Sequence, residues 1–406
     1  MKPMGPIPPA FAAQTGPLTI GGQAAGALVA AHGSPLFVYD TALIAAQVER
    51  FRAVMPAAID LHYAIKANPL PALLERVGPL VDGLDVASAG ELARAGAVKP
   101  GAAISFAGPG KRDAELAAAI ETGATINLES AGEARRALAA GERLGIVPRL
   151  AVRVNPDLEL RGSGMKMGGR ASPFGVDAEA AAAVVRAVIA GGADWRGFHI
   201  FAGSQALDAG ALIETQAATL ALAARLAEEA GAPPPLVNLG GGFGVPYFAG
   251  DVALDVAAVG AALGQALAAR ADVLTGSRFA IELGRWLVAE AGVYLTRVVD
   301  VKTSRGETFV VVDGGLHHQL AASGNFGTVV RRNYPIAAAT RMGATATGEA
   351  SVVGCLCTPL DRLGDKVALP PVVEGDLIAI FLAGAYGASA SPTAFLGHPA
   401  PAEIVV

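Results

Sequence analysis

At 406 residues the chain exceeds one ordinary domain, whereas an α/β barrel of about 250 residues plus a smaller domain fits its length. Apolar residues at 52% and charged residues at 17% allow a large core and exclude global disorder. A formal charge of −5 without a basic cluster argues against nucleic acid as a partner. No charge-free apolar run reaches the ~18–20 residues of a membrane span, and Pro3, Pro6, Pro8 and Pro9 do not fit a signal peptide. A cytoplasmic protein is expected. Cys355 and Cys357 stand too close along an extended segment for a structural disulfide, which points to a reducing compartment. Read as a C-x-C zinc half-site they find no second half-site at suitable spacing, so no metal is expected.

Residues 1–16 are proline-rich and expected to be loosely ordered. A weak helical pattern follows around Ala24–Ala31, then a β-like Leu36-Phe37-Val38-Tyr39. After Asp40 short apolar or β-branched runs recur at 61–65, 84–88, 103–107, 125–128, 149–154, 197–203, 236–239 and 279–282. Ala- and Leu-rich segments with helical spacing lie between them, such as Glu91–Val98, Asp113–Glu121, Ser130–Leu144 and Ala178–Ala190. Eight strand candidates separated by helical material predict a closed parallel (β/α)8 barrel, with an open doubly wound sheet as the alternative. The longest interval carries the glycine-rich 162–169 segment, read as a mobile loop over one barrel face. Beyond about residue 285 the texture becomes strand-like, at Val288–Val301, Thr308–Asp313, Ala350–Val353 and Asp376–Leu382. The expected division is an α/β barrel over 36–285 and a mostly-β domain over 286–406, the latter joined by residues 17–35.

In a parallel barrel the C-terminal strand ends meet at one face, where catalytic groups sit. Lys66 ends the first strand. Only seven of the 31 basic residues are lysines, so its placement raises a question. It is either a snorkelling side chain or an amine poised to form a Schiff base with an aldehyde. The second strand carries Asp85 and Ser88, the fifth Arg153 and Asn155, and the sixth His199, Phe201, Gly203 and Ser204. The seventh runs into Gly240-Gly241-Gly242-Phe243-Gly244, and the eighth ends in Glu282-Leu283-Gly284-Arg285. Without Cβ atoms a glycine run can bring several N–H donors close to a phosphate, although such runs are often only turns. A Schiff-base lysine, a phosphate cradle with Arg285, a carboxylate and an aromatic are what pyridoxal phosphate requires.

The stretches YAIKANP, GLDVASAGEL, FHIFAGSQ, LGGGFG, ELGR, VVDGG, the Cys357 segment and GAYG occur in order over nearly the whole chain. This pattern resembles the fold-type III pyridoxal-phosphate decarboxylases, the diaminopimelate, ornithine and arginine decarboxylase group. GGGFGVPYF, VVDGGLHH, RRNYP and FLGHP look most like the exosortase-associated members and a decarboxylase of carrier-bound glutamyl units. The resemblance implies an alanine-racemase-like two-domain fold. It implies that Lys66 carries the cofactor and that Glu282 pairs with the pyridine nitrogen. It also implies that Ser204, Gly240, Gly241, Gly242, Arg285 and Tyr386 hold the phosphate, with Gly284 among the cofactor contacts. Asp85, Arg153, His199 and Phe201 complete the expected cofactor set. Cys357 would reprotonate the substrate carbon in the partner's barrel, which implies a head-to-tail homodimer with shared sites.

Three departures bear on function. Phe201 stands where the family stacks a histidine on the ring; it can still stack, while His199, two residues earlier, is either a site neighbour or a buried structural histidine. Thr358 follows the cysteine where relatives acting on diamino acids place an acid, although nearby Asp361 could compensate. The Arg-Pro-Ala-Leu-Tyr segment of diaminopimelate enzymes is replaced by Arg331-Arg332-Asn333-Tyr334-Pro335. Leu283 replaces a proline, with little expected consequence. Arg285, Arg332, Tyr334, Thr358, Asp361 and Tyr386 are therefore the candidate substrate contacts. Arg331 and Arg332 are either solvated charges or a lure for an acidic carrier protein. The expected activity is removal of the α-carboxylate from an amino acid or a carrier-tethered amino acid. A racemase on the same barrel and a non-catalytic binding homologue are the alternatives.

Overall fold

The structure, a computed structural model of the chain, describes residues 2–157, 160, 171–324 and 332–406, and the backbone of Met165–Lys166. The rest of the 162–169 segment, and Arg331, lie outside the described residues. The chain forms two compact units. One comprises Gln47–Gly244 and Ala253–Gly284; the other comprises Met1–Ala46, Val245–Val252 and Arg285–Val406.

The first unit is a closed barrel. Its parallel strands are Ile59–Ala64, Gly83–Val86, Ile104–Phe106, Thr125–Leu128, Arg149–Asn155, Asp194–Ile200, Leu236–Asn238 and Arg278–Leu283. They pair in chain order, the eighth closes on the first, and the doubly wound alternative is excluded. Helices Ala89–Gly96, Asp113–Thr122, Ala131–Leu144 and Ala178–Ala190 fall within a few residues of the spacing-based expectation. Two of them start at a Ser-x-x-Glu box. Ser88 accepts from the Glu91 N–H while Glu91 accepts from Ala87, and Ser130 and Glu133 repeat the device. Ser88 is thus committed to capping.

Register sets the depth of the polar groups. Arg153 lies opposite His199, His199 opposite Asn238, and Asn238 opposite Ala280. Glu282, two residues beyond Ala280, lies opposite His62, and Ala64 lies opposite Asp85. Because i and i+2 share a face, one inward row carries these polar side chains toward the C-terminal strand ends.

The second unit is built on an eight-stranded sheet whose spine is the long strand Gly292–Ser304. That strand pairs antiparallel with Glu307–Val312, with Leu377–Ile380 and with Leu36–Tyr39. Ala402–Val405 pairs parallel with Leu36–Tyr39. The division expected at residue 36 therefore falls at 46/47, because Leu36–Tyr39 is hydrogen-bonded into this sheet. Residues 1–16 are also better anchored than their proline content implies. Lys2 donates its N–H to the Lys366 carbonyl, Met4 bridges Asn333, and Phe11 is buried 5.4 Å from the Phe381 ring. Apolar burial of Phe11 with Leu18, Ile20 and Leu28 outweighs the chain entropy that prolines reduce only in part.

Candidate active site

The first barrel strand delivers Lys66 in a short 3-10 turn, and Tyr63 pins the following bend by donating its hydroxyl hydrogen to the Asn68 carbonyl. The side chain of Lys66 is exposed, and its Nζ lies 6.0 Å from the centre of the Phe201 ring. Phe201 follows the sixth strand. The position that departs from the family histidine thus presents an apolar face toward the lysine.

Glu282 is the charged centre of the unit. His199 Nε2 donates to its Oε2 at 2.8 Å, and Asn238 Nδ2 donates to the same oxygen at 3.2 Å. Its Oε1 receives no protein hydrogen bond among the described residues. Burial alone would raise this carboxyl, but His199, then Lys66 and Arg153, outweigh it and hold it down at about 2. His199 therefore anchors the Glu282 carboxylate and is the main group holding its pKa down. On the neighbouring strands His62 Nδ1 lies 3.4 Å from Asp85 Oδ1, while Asp85 Oδ2 is buried without a partner among the described residues. Burial opposes the His62 imidazolium, but Asp85 more than offsets it and its pKa is raised.

Arg153 takes a different place from the one expected. Its Nη1 donates to Glu129 at 2.8 Å and its guanidinium stacks 5.1 Å from Phe174. Glu129 also accepts the N–H groups of Gly108 and Gly175, both at 2.6 Å, and beside it Lys111 pairs with Glu133 at 2.8 Å. A guanidinium in so complete a buried network has little to offer a ligand directly. Its reach to the site is electrostatic, through Glu282.

The glycine run is dictated by backbone crowding. A Cβ on Gly241 would lie 1.8 Å from the Glu282 carbonyl oxygen, and one on Gly242 2.5 Å from that of Gly203; Gly240 and Gly242 also have φ of +71° and +81°. The Gly240 N–H is spent on Asn238 Oδ1, whereas those of Gly241 and Gly242 have no hydrogen-bond partner among the described residues. Ser204 stands on a two-residue strand paired with Met165–Lys166, next to Gln205 at φ +61°.

In the other unit Arg285 lies between two tyrosines. Its Cζ is 5.3 Å from the Tyr247 ring and 4.7 Å from that of Tyr386, and Nη1 donates to the Tyr247 hydroxyl at 3.1 Å. Tyr386 itself has φ of +54°, a strained conformation for a bulky residue. Tyr334 packs 4.8 Å from Tyr247, and exposed Arg332 stacks 3.8 Å over Phe248. Sequence reasoning missed Tyr247 and Phe248 as site residues, although both stand in the GGGFGVPYF stretch.

Cys357 is exposed and Thr358 half-buried. Asp361 does not compensate for the missing acid. It is 3% exposed, and its two oxygens accept the Leu316 N–H at 2.6 Å and the Leu356 N–H at 2.8 Å. The substrate contact expected of Asp361 gives way to a clamp on two loops. The same unit holds a group with no sequence-adjacent signal: His317, Cys355 and His398, from segments far apart along the chain, have ligand atoms within 4.8 Å of one another.

Comparison with known proteins bears on these two sets. The pyridoxal-binding domain of the pyridoxal-dependent decarboxylases matches residues 41–289. The chain is 38% identical over 379 residues to L-glutamyl-[BtrI acyl-carrier protein] decarboxylase of Niallia circulans, covering 92% of this chain and 88% of that one. It is 33% identical over 367 residues to diaminopimelate decarboxylase of Neisseria meningitidis, covering 89% and 87%. The crystal structure of diaminopimelate decarboxylase from M. jannaschii with L-lysine superposes with a TM-score of 0.87 at 26% identity, over 97% of this chain and 93% of that one.

Proposed function

Because the chain belongs to the pyridoxal-dependent decarboxylase family, we propose that its substrate is an aminoacyl unit tethered to a carrier protein, with an acidic or neutral distal end. It is a fold-type III carboxy-lyase that uses pyridoxal 5′-phosphate. That cofactor supplies, when bound, an electron sink for the pair left behind by departing CO2.

Each residue role follows from the chemistry of the side chains present. Lys66 is the amine that would hold the cofactor. Glu282 would keep the pyridine nitrogen protonated: His199 holds its pKa down, and Oε1 has no hydrogen-bond partner among the described residues while His199 and Asn238 occupy Oε2. Phe201 offers a flat apolar face within 6.0 Å of Lys66 Nζ. The N–H groups of Gly241 and Gly242, which have no hydrogen-bond partner among the described residues, suit a phosphate, as does the Ser204 hydroxyl; the Arg285 guanidinium has the charge for one. Tyr386 holds that guanidinium in place by stacking. Cys357 Sγ holds the proton that the substrate carbon receives after CO2 leaves. Its exposure suits a role in the barrel of a second copy, so we place two chains head to tail with shared sites. The free thiols fit a cytoplasmic enzyme, and no described helix is long and apolar enough to cross a membrane.

The substrate assignment rests chiefly on Asp361. With Thr358 next to the cysteine and both Asp361 oxygens committed to backbone N–H groups, this segment has no carboxylate for a distal ammonium. Leaving such a cation unpaired would cost several kcal/mol. The name of the 38%-identical relative, which acts on a glutamyl carrier protein, points the same way, and Arg332 on Phe248 gives an acidic carrier a cationic contact. The test is CO2 release from a glutamyl-carrier thioester, free glutamate and meso-diaminopimelate side by side. The thioester should turn over and diaminopimelate should not; robust release from diaminopimelate would overturn the assignment.

A further inference from the structure

We propose that His317, Cys355 and His398 form a binding site for a thiophilic divalent transition-metal ion, Zn2+ in the first instance. The three side chains come from separate parts of one unit: the loop after strand Glu307–Val312, the loop after strand Gly348–Val353, and the segment before the C-terminal strand. Cys355 Sγ lies 3.8 Å from His398 Nδ1 and 4.0 Å from its Nε2, and the rings of His317 and His398 are 5.2 Å apart. Tetrahedral zinc bound at about 2.0–2.3 Å by nitrogen and sulfur has ligand–ligand edges of about 3.3–3.7 Å. The cluster, whose ligand atoms all lie within 4.8 Å, closes to that geometry with shifts of about 1 Å.

A second observation points to a ligand. His317 is 0% exposed, yet neither of its ring nitrogens has a hydrogen-bond partner among the described residues. A buried imidazole in that state forfeits the hydrogen bonds it had in water. Its neighbour His318 is the control. Also buried, with ring centres 3.7 Å apart, it uses Nδ1 on the Tyr294 hydroxyl at 3.1 Å and Nε2 on the Pro399 carbonyl at 3.0 Å. The fold therefore can satisfy a histidine here, and it leaves His317 open facing a thiol and a second imidazole. One sulfur and two nitrogens favour Zn2+ or a similar soft ion over Mg2+ or Ca2+. Three protein ligands leave a fourth position for water. The C-x-C spacing hid the site because only Cys355 of the pair belongs to it. Binding displaces the thiol proton to solvent and ties the two loops to the C-terminal segment, so it raises the melting temperature.

The experiment is native mass spectrometry of the full-length holoenzyme after Zn2+ loading and gel filtration, with thermal melting alongside. The wild type should retain one Zn2+ per chain and melt higher with Zn2+ than after chelation. Cys355→Ser should lose at least about 10²-fold in Zn2+ affinity and its Zn2+-dependent shift, whereas Cys357→Ser should keep both. If Cys355→Ser folds poorly, His398→Gln gives the same readout. A wild type that retains no Zn2+, equal retention in Cys355→Ser and His398→Gln, or loss on Cys357→Ser would overturn the site.

Discussion

His199 in the barrel and His317 in the other unit are both buried, 3% and 0% exposed, and the protein treats them differently. His199 gives Nε2 to Glu282, which also takes the Asn238 amide, so a carboxylate and its donors are fixed before any substrate arrives. His317 has no hydrogen-bond partner at either nitrogen among the described residues. The first arrangement presets a charge; the second leaves coordination open for something the chain does not supply. Preorganised electrostatics of the first kind is what lets a site stabilise developing charge without reorganising.

The largest effects are expected at the barrel. Lys66→Ala should abolish retention of pyridoxal phosphate through gel filtration and lower turnover by at least about 10³-fold, read by cofactor release and CO2 formation. Glu282→Gln keeps the shape and removes the charge, so kcat should fall by about 10²-fold or more with cofactor content nearly intact. If turnover survived, the preset carboxylate would not be the working part.

Asp361→Ala tests whether that residue is a clamp. Removing it leaves the Leu316 and Leu356 N–H groups buried without acceptors, which should cost about 1–3 kcal/mol per group in denaturant unfolding. A substrate-binding role would instead raise KM and leave stability alone.

The smallest effect sharpens the pairing itself. Burial works against the Glu282 carboxylate, but His199 leads the groups that bring its pKa from 4.5 to about 2 in the folded protein. A depressed carboxyl stabilises the fold above its unfolded value, and that contribution is lost as pH falls from 4.5 toward 2. In His199→Phe the carboxyl is held down less, so this contribution should shrink and be used up at higher pH, and the acid limb of kcat/KM should move up with a roughly tenfold drop in activity. An unchanged acid limb would leave His199 with a merely structural place.

What could be read from the chain beforehand divides along physical lines. The barrel was legible because eight apolar runs separated by helical spacing admit few topologies, and the strand-end rule then collected Lys66, Glu282 and the glycine run. Arg153 and Asp361 were misplaced because a motif position does not reveal a buried partner: Glu129 comes from another strand end, and the N–H groups that hold Asp361 belong to Leu316 and Leu356. Leu36–Tyr39 looked like the start of the barrel because strand propensity carries no information on which sheet it joins. The His317 cluster was invisible, since its members come together only through the fold.

Everything assigned to Glu282 depends on its being ionised before chemistry begins. Carbon-13 NMR of holoenzyme labelled at the glutamate carboxyl, with Glu282→Gln for assignment, follows that group directly. The expected result is an ionised carboxylate whose signal holds steady from about pH 8 to about pH 5. A midpoint for Glu282 within that range would contradict it.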